Sequence, residues 1–446
     1  MSASALLASA AHPTELYALF RYLLTPAPSA SSLSKQAAHR KSAVAPTANR
    51  ARCYHFLNLT SRSFSRVIAA LDDELRHPVC IFYLVLRALD TVEDDMTIDI
   101  ARKTLLLKDF HNKIYQRGWT FKESGEKEKD RQLLQEFDVV IEEFLGLDEK
   151  YQKVIADITK RMGAGMTQYL AAPTPENPHF IEIQTTASYN VYTHYVAGLV
   201  GIGLTDLFAA SRLEVPQLAS PANIELANEM GQFLQKVNIL KDFLEDLQEG
   251  RVFWPKDVWA KYVPEGRSVD ALAELEHQDA ALACLNELVV DALKLVPSCL
   301  NYMALLHNPT VFQFCAIPQM MAIATLDHFY NSPSVFRTTG TKIRRGLAVK
   351  LMLASKDMHS VKRKYEAYAL SINRKNADAV GKNDKDKSFM KVAVACADIV
   401  KWIHMHDDAK RTPQAAVSGL KFDWVVMIGL VVIATALAMG MLPTVL

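Results

Sequence analysis

Carboxylates recur at helical spacing in two otherwise apolar stretches of this 446-residue chain. The first stretch, residues 78–95, begins PVCIFYLVL and ends RALDTVEDD. Each residue of a helix turns by about 100°, so four of its side chains fall on one stripe, with Glu93 beside it. These four are Tyr83, Arg87, Asp90 and Asp94. Two aspartates four residues apart repel each other, more strongly when desolvated, so a positive partner is needed.

The second stretch, QKVNILKDFLEDL at residues 235–247, repeats this pattern about 150 residues later. Its stripe consists of Gln235, Asn238, Asp242 and Asp246, and Lys241 stands next to Asp242. Both stretches contain D-x-x-E-D. A single pair of aspartates is common on a solvated helix face, whereas two copies in apolar surroundings favour a shared role.

A divalent cation is the simplest partner for two facing sets of carboxylates. Mg²⁺ takes oxygen ligands and is usually completed by substrate phosphates. Arg87 and Lys241 then serve as phosphate clamps.

The surroundings of these carboxylates indicate the kind of phosphate that would bind. The P-loop sequence G-x-x-x-x-G-K-[ST] is absent from the chain. An acidic rim above Tyr, Phe, Leu, Val and Met side chains suits a diphosphate attached to a long hydrocarbon. Metal would draw off the diphosphate and leave an allylic cation, which aromatic faces can stabilise away from water.

The elements that must position these residues are predicted to be helices. Helical periodicity dominates residues 51–375, and half of all residues are hydrophobic. We therefore expect an all-α class, with one large helical domain around a central cavity. The stretch GLVGIG (198–203) has glycines, but no strand context and a reversed spacing, so we interpret it as close helix packing rather than a dinucleotide fingerprint.

Charge and cysteine content exclude some classes of protein. The formal charge of +1 indicates no nucleic-acid partner. The six cysteines include no C-x-x-C pair and stand in apolar surroundings, which predicts free thiols in a reducing compartment.

Both ends of the chain differ from its middle. Residues 1–50 read as an N-terminal extension, partly disordered, with a short amphipathic helix opened by Pro13. Residues 376–423 read as a C-terminal helix and linker. The uncharged stretch 424–442 is long enough for a transmembrane tail anchor. Lysines and arginines before it favour a body that faces the cytosol.

Several sequence motifs of this chain resemble those of a known family. The chain is similar to the squalene synthases, head-to-head trans-prenyl transferases, over roughly residues 51–375 and in its tail anchor. The motifs that carry this resemblance are TSRSF (60–64), FYLVLRALDTVEDDM (82–96), YTHYVAGLVGIGL (192–204), FLQKVNILKDFLEDLQEGRVFWP (233–255), FQFCAIPQMMAIATL (312–326) and KIRRG (342–346).

The resemblance implies an isoprenoid-synthase-type fold and a two-step reaction. Two farnesyl diphosphates would join into presqualene diphosphate, which NADPH would then reduce to squalene as the first committed step of sterol biosynthesis. The implied setting is the endoplasmic reticulum membrane, with a monomeric catalytic domain in the cytosol.

Site roles follow from the same resemblance, position by position. Mg²⁺ would bind one cluster formed by Asp90, Glu93 and Asp94 and a second formed by Asp242 and Asp246. Tyr192 would move a proton in the first half reaction, and Phe314 would face the cation. The substrate set is Ser61, Ser63, Phe64, Tyr83, Arg87, Gln235, Asn238 and Lys241. The NADPH set is Arg62, Arg87, Lys241, Lys342 and Arg344.

Two positions depart from the family pattern, which usually has Arg-Asp-Tyr where this chain has Lys241, Asp242 and Phe243. Lysine keeps the charge but loses the two-pronged fork of arginine. The phenol is absent at 243, so no hydroxyl role is assigned there.

Two other functions remain open at this point. A phytoene-synthase-like enzyme would share the acidic helices but use no hydride, and the KIRRG motif and the anchor argue against it. A membrane-tethered helical scaffold without catalysis would not depend on the carboxylates.

Overall fold

The computed structural model describes residues 11–24, 47–170 and 181–407, and within these ranges the chain is almost entirely helical. The helices are α1 (Pro13–Leu24), α2 (Ala48–Thr60), α3 (Arg62–Ala69), α4 (Asp73–Asp94), α5 (Ile100–Lys113), α6 (Arg131–Gln135), α7 (Phe137–Leu145), α8 (Glu149–Met166), α9 (Thr186–Thr193), α10 (Leu199–Ser211), α11 (Pro221–Lys241), α12 (Phe243–Gln248), α13 (Lys256–Trp259), α14 (Gln278–Leu293), α15 (Val296–Ala304), α16 (Pro309–Phe329), α17 (Arg345–Ala354), α18 (Met358–Ala379) and α19 (Phe389–Met405). The predicted all-α class is confirmed.

Short elements complete the chain. A π-helix, His194–Gly198, joins α9 to α10. Turns of 3₁₀-helix occur at Pro216–Ala219, Val269–Ala273, Leu275–His277 and Pro333–Phe336. Strands β1 (Ile181–Glu182) and β2 (Arg251–Val252) pair in parallel, which ties the segment after α12 to the segment before α9.

Helix α4 runs through the middle of the body and carries the first acidic motif. Asp73 and Glu74 lie in its first turn, where their negative charges interact favourably with the positive end of the helix dipole. Apolar side chains follow on nearly every side, and most of them are buried. A helix that is apolar all round belongs in the interior, and α4 packs on α2, α5, α7, α8 and α10. Its last residue is Asp94, so the interior helix delivers its carboxylates to one edge of the core.

Helices α10 and α11 approach each other through glycines. A Cβ at Gly201 would lie 2.2 Å from the carbonyl oxygen of Ala227, and a Cβ at Gly231 would lie 2.2 Å from that of Ala197. The backbones are therefore in contact, and the packing role predicted for GLVGIG is confirmed. This contact sets where α11, with the second acidic motif at its end, lies relative to α9 and the π-helix.

Two described stretches are long and apolar enough to cross a membrane, residues 186–211 and Pro309–Phe329. In Pro309–Phe329, 72% of the most apolar window is buried inside the body, so this stretch serves as a core helix. In Thr186–Ser211 the buried share is 44%, and this stretch packs against α11. The predicted anchor, residues 424–442, lies outside the described residues. Helix α18 continues past residue 375, the predicted end of the helical domain, and α19 packs on α18 and α14.

The predicted free thiols are confirmed, since all six cysteines are buried and unpaired. Burial raises the pKa of Cys53 to about 12. Such thiols remain protonated and unreactive at neutral pH.

The glycine contact gives a test of the packing. Gly201→Ala should destabilise the protein by about 1–3 kcal/mol, because the new methyl group meets a backbone atom that cannot move aside. Gly146→Ala is the matched control, since its Cβ would find its nearest neighbours at 3.5 Å. Thermal unfolding of the two variants measures the difference. Equal midpoints would show that α10 and α11 are not in backbone contact.

Candidate active site

The carboxylates of the first motif differ sharply in their surroundings. Glu93 is only 8% exposed, whereas the side chain of Asp94 is 46% exposed. Asp95, the last of the four, is buried and caps a loop, since its carboxylate accepts hydrogen bonds from the backbone N–H groups of Thr97 and Gly125 at 2.9 Å each. The motif therefore contains three carboxylates available for chemistry and one that holds the chain together.

Burial dominates the electrostatics of this cluster. It raises the pKa of Asp90 to about 7, with Arg87 opposing the rise and Asp94 adding to it. The pKa of Glu93 is raised well above its ordinary value by burial and by the charges of Asp94 and Asp90. Within the part of the chain that the structure describes, Glu93 Oε1 is buried and accepts no hydrogen bond. An ionised oxygen in this position requires a cation.

The second motif lies where α11 ends and α12 begins. The sequence predicts one continuous stripe, but the helix is interrupted at Asp242 (φ −96°, ψ 10°). Hydrogen bonding still runs through the break, because the N–H of Asp242 donates to the Asn238 carbonyl at 2.9 Å and the N–H of Asp246 donates to the Asp242 carbonyl at 2.8 Å. The two aspartates therefore remain one turn apart, with Gln235 half-buried and Asn238 exposed on the turns before them.

The two aspartates of this motif also have raised pKa values. Burial is the main cause at Asp242, where Lys241 and Lys342 oppose the rise. Burial raises the pKa of Asp246 to about 7, and Arg251 opposes that rise. Each cluster thus carries buried carboxylates that are only partly compensated by the protein.

Arg251 joins the two clusters. Its Nη1 lies 3.0 Å from Asp94 Oδ1, and its Nη2 lies 2.9 Å from Asp246 Oδ1 and 2.6 Å from Glu249 Oε2. The Arg251 side chain is only 14% exposed. The acidic clusters, 157 positions apart at this bond, therefore face each other across one guanidinium group.

Sequence reasoning did not select Arg251 as a site residue. It stands in EGRVFWP, inside one of the motifs shared with the family, five residues after Asp246. That proximity was the available signal, but nothing in the spacing shows that the side chain reaches Asp94.

Tyr192 lies beside this bridge. It is 4% exposed, its ring stacks on Phe253 with centroids 5.0 Å apart, and Tyr169 meets it edge-on at 5.0 Å. Its pKa is raised well above the ordinary value by burial and then by Glu93, Asp94 and Asp246, while Arg251 opposes the rise. A buried phenol thus senses the charges of both clusters.

The two predicted phosphate clamps are each held by a carboxylate. Arg87 Nε and Nη2 both lie 2.6 Å from Asp130 Oδ2, and Lys241 Nζ lies 3.1 Å from Asp242 Oδ2. Asp130 is buried although it lies in the highly charged stretch KESGEKEKDRQ (122–132), and the sequence analysis assigned it no role. These contacts orient the two cations while each side chain stays partly exposed.

The TSRSF segment joins α2 to α3 beside α4. Ser61 caps α3, its hydroxyl accepting a hydrogen bond from the N–H of Phe64 at 3.2 Å. The ring of Phe64 stacks on Tyr83, with centroids 6.2 Å apart. Among the other predicted residues, the side chains of Arg62 and Ser63 lie outside what the structure describes. Phe314 is buried and packs edge-on against Phe208 at 6.0 Å.

The predicted NADPH residues of the KIRRG segment have separate environments. Lys342 is exposed and lies close enough to Asp242 to affect its pKa. Arg344 is paired with Glu15 of α1, through contacts of 3.1 Å and 2.7 Å. The structure therefore brings Lys342 to the second acidic cluster and Arg344 to the N-terminal helix.

The donor set suits Mg²⁺, which prefers carboxylate oxygens and tolerates few rigid ligands. The unpaired Glu93 oxygen and the two aspartates with a pKa of about 7 are groups that a cation would stabilise. Over the described ranges, three metal-ligating side chains have ligand atoms within 4.8 Å of one another, and these are Glu274, Glu276 and His277. The carboxylates of the two acidic motifs are not among them, so they do not converge on one point in this structure. That trio forms surface ion pairs, with Arg267 also bonded to Glu274.

A small cavity of about 10 Å³ adjoins the bridge. Its lining consists of Phe243, Asp246, Leu247, Arg251, Val252, Phe253, Trp254 and Val269. A cavity of this size has room for about one water molecule. Phe243, which lacks the family phenol, is buried and packs on Trp254 with ring centroids 4.4 Å apart.

Comparisons with known proteins show which family and which solved structures this chain resembles. The family model described as squalene/phytoene synthase matches residues 57–346. Squalene synthase from Homo sapiens is 48% identical over 76% of this chain and 77% of its own length, and that from Schizosaccharomyces pombe is 47% identical over 78% and 73%. A solved structure of TcSQS with a ligand superposes with a TM-score of 0.73 at 38% identity, over 81% of this chain and 100% of that one.

The arginine bridge gives a stability test. Arg251→Gln should cost roughly 2 kcal/mol without Mg²⁺, because Asp246 loses its buried partner; the exposure of Asp94 keeps the loss below that of a fully buried pair. Arg102→Gln, which breaks an exposed pair with Glu123, should change stability by less than about 1 kcal/mol. Thermal unfolding in a chelator measures both. Equal losses would show that the bridge is no stronger than a surface ion pair.

Proposed function

The chain belongs to the squalene/phytoene synthase family, and on that premise we propose that it is a squalene synthase, a farnesyl-diphosphate farnesyltransferase. It joins two farnesyl diphosphates into presqualene diphosphate and reduces that intermediate to squalene with NADPH. The observation that supports this most directly is the pair of buried acidic clusters facing each other across Arg251. Identities of 47–51% to squalene synthases favour this enzyme over a non-reductive, phytoene-synthase-like one.

We infer that the carboxylates hold Mg²⁺. Asp90, Glu93 and Asp94 form one set of ligands, and Asp242 and Asp246 form the other. When bound, the metal supplies positive charge that makes diphosphate a better leaving group. The chain's own cations, Arg87, Lys241 and Arg251, stand in or beside the same clusters and can receive the diphosphate oxygens as it departs.

Tyr192 is the proposed proton carrier of the first half reaction. Its pKa is raised first by burial and then by the charges of Glu93, Asp94 and Asp246, which Arg251 partly offsets, so the phenol is neutral. Neutralisation of these carboxylates by a cation would remove their part of the rise and make the phenol a better acid. Its stacking on Phe253 holds the ring in place, so the hydroxyl can exchange a proton with a diphosphate or a carbon bound between the clusters.

The reductant is proposed to bind in a helical cleft. Its phosphates would contact Arg62, Arg87, Lys241, Lys342 and Arg344, and Phe314 would shield the cation that receives the hydride. Over the described ranges the strands are two residues long, so the cofactor does not use a Rossmann sheet. Residues 424–442 are proposed to anchor a monomeric catalytic domain to the cytosolic face of the endoplasmic reticulum membrane.

Product analysis tests this function. The full chain, incubated with farnesyl diphosphate and Mg²⁺ without reductant, should accumulate presqualene diphosphate and convert it to squalene when NADPH is added. Asp90→Asn and Asp242→Asn should each slow diphosphate release by about 100-fold or more, since each removes charge that holds the metal. A product unaffected by NADPH would favour the phytoene-synthase-like reaction, and full turnover by both variants would favour a scaffold.

The same assay isolates the proton step. Tyr192→Phe should slow presqualene diphosphate formation by about 10²–10⁴-fold, because it removes the hydroxyl and leaves the ring stacking in place. Tyr195→Phe is the control, since that hydroxyl meets Gln168 at 3.3 Å on an exposed part of the helix. Equal rates for the two variants would remove Tyr192 from the mechanism.

The two glutamates of the D-x-x-E-D motifs give a metal test that needs no turnover. Glu93→Gln should reduce the stabilisation by Mg²⁺, because the neutral amide is a weaker ligand for the cation than a carboxylate. Glu245→Gln, at the same motif position but exposed, should leave the stabilisation by Mg²⁺ unchanged. Thermal unfolding across a Mg²⁺ titration distinguishes them; an unchanged Mg²⁺ response in Glu93→Gln would exclude it as a ligand.

A further inference from the structure

The N-terminal helix α1 docks on the segment that carries Arg344. Glu15 is 4% exposed and meets the guanidinium group with both oxygens, Nε to Oε2 at 3.1 Å and Nη2 to Oε1 at 2.7 Å. Lys350 Nζ donates to the hydroxyl of Thr14 at 2.9 Å. An apolar contact supports these bonds, made by Ala18, Leu19 and Val349 with Tyr22 and Leu353 at its edge.

The other end of α1 reaches α3, the helix that follows the TSRSF segment. The Tyr22 ring lies 4.4 Å from the guanidinium carbon of Arg66. Arg66 is on α3, which begins at Arg62, immediately after Ser61. Helix α1 therefore pairs directly with Arg344 and contacts the helix that begins at Arg62, two residues to which the proposed function assigns the NADPH phosphates.

The bonded carboxylate occupies the groups that a phosphate would need. Glu15 takes the Nε and Nη2 donors of Arg344, so a phosphate that binds this same edge of the guanidinium group must displace the carboxylate. Arg344 lies near the second acidic cluster. It is two residues from Lys342, at most about 7 Å along the backbone, and Lys342 is close enough to Asp242 to lower the pKa of that carboxylate.

The helix is also easy to displace. Its apolar contact is a small cluster separate from the main hydrophobic core. It is 12 residues long, too short to gain much stability from helix formation alone. Its release would therefore leave the catalytic core intact.

We propose that α1 is an intramolecular competitor of NADPH, in which the Glu15 carboxylate occupies Arg344 until a cofactor phosphate displaces it. The proposal rests on the proposed function, in which Arg344 contacts the cofactor. Glu15 does not touch the reacting atoms; it sets how tightly the reductant binds. Competition is reciprocal, so NADPH must in turn loosen α1.

Steady-state kinetics of the full chain test the proposal. Glu15→Gln keeps the shape of the side chain but removes its charge, so the KM for NADPH should fall by about fivefold, the low end of typical coupling, with kcat unchanged. Formation of presqualene diphosphate without reductant should also be unchanged. Glu136→Gln is the matched control, since Glu136 makes an equally bidentate pair with Arg52, at 2.8 Å and 2.7 Å, away from these segments.

A double variant distinguishes competition by Glu15 from cofactor binding by Arg344. Arg344→Gln should raise the KM for NADPH, and adding Glu15→Gln to it should have no further effect. If Arg344→Gln raises the KM but Glu15→Gln alone leaves it unchanged or raises it, the competition is refuted while the cofactor site stands. If Arg344→Gln leaves the KM unchanged, the proposal fails together with that site assignment.

Hydrogen exchange supplies a readout that needs no turnover. Saturating NADPH should speed amide exchange in residues 13–24 of the wild-type chain and have little effect there in Glu15→Gln, whose helix is already loosened. Unchanged protection of α1 at saturating NADPH would overturn the proposal, whether or not the chain makes squalene.

Discussion

One guanidinium group between two acidic clusters is the interaction on which the site depends. Burial alone would make the clusters repel each other, since carboxylates from α4 and from the α11–α12 junction stand in the same apolar region. Arg251 offsets part of that repulsion, and the remaining uncompensated oxygens explain why cations are expected there. The charge balance of the site is therefore incomplete, which suits the proposed binding of a metal ion and a diphosphate.

The rest of the fold serves to hold these clusters at one distance. Helix α4 is surrounded by other helices, so its acidic end cannot shift without disturbing the core. Helix α11 is fixed by the backbone contact at Gly201 and Gly231, and the β1–β2 pair places Arg251 after α12. Tyr192 enters the same region because the helix that carries it, together with the π-helix, packs on α11. Rigid apolar packing thus fixes the positions of the polar side chains of the site, and catalysis requires such groups to be held within narrow distances.

The competing helix α1 extends the same principle to the cofactor. An arginine that is to bind phosphate must otherwise remain unpaired or find another anion, and this chain supplies one from its own N-terminal segment. Electrostatic sites for anions are in this sense shared between the protein and its ligand, as they are at Arg87 with Asp130 and at Lys241 with Asp242.

The sequence by itself determined the helical class, the two acidic motifs, the packing role of the glycines and the family, because each depends on residue type and on spacing within one element. Spacing alone did not show that Glu93 is buried while Glu245, at the same motif position, is exposed, nor that Asp95 caps a loop, because burial and distant hydrogen bonds belong to the assembled core. Only the tertiary structure decided the pairs Arg251–Asp94, Arg87–Asp130 and Arg344–Glu15, separated by 157, 43 and 329 positions. Spacing along a helix encodes which side chains share a face, but the partner of a charge is set by how distant segments pack, and that information is spread over the whole chain.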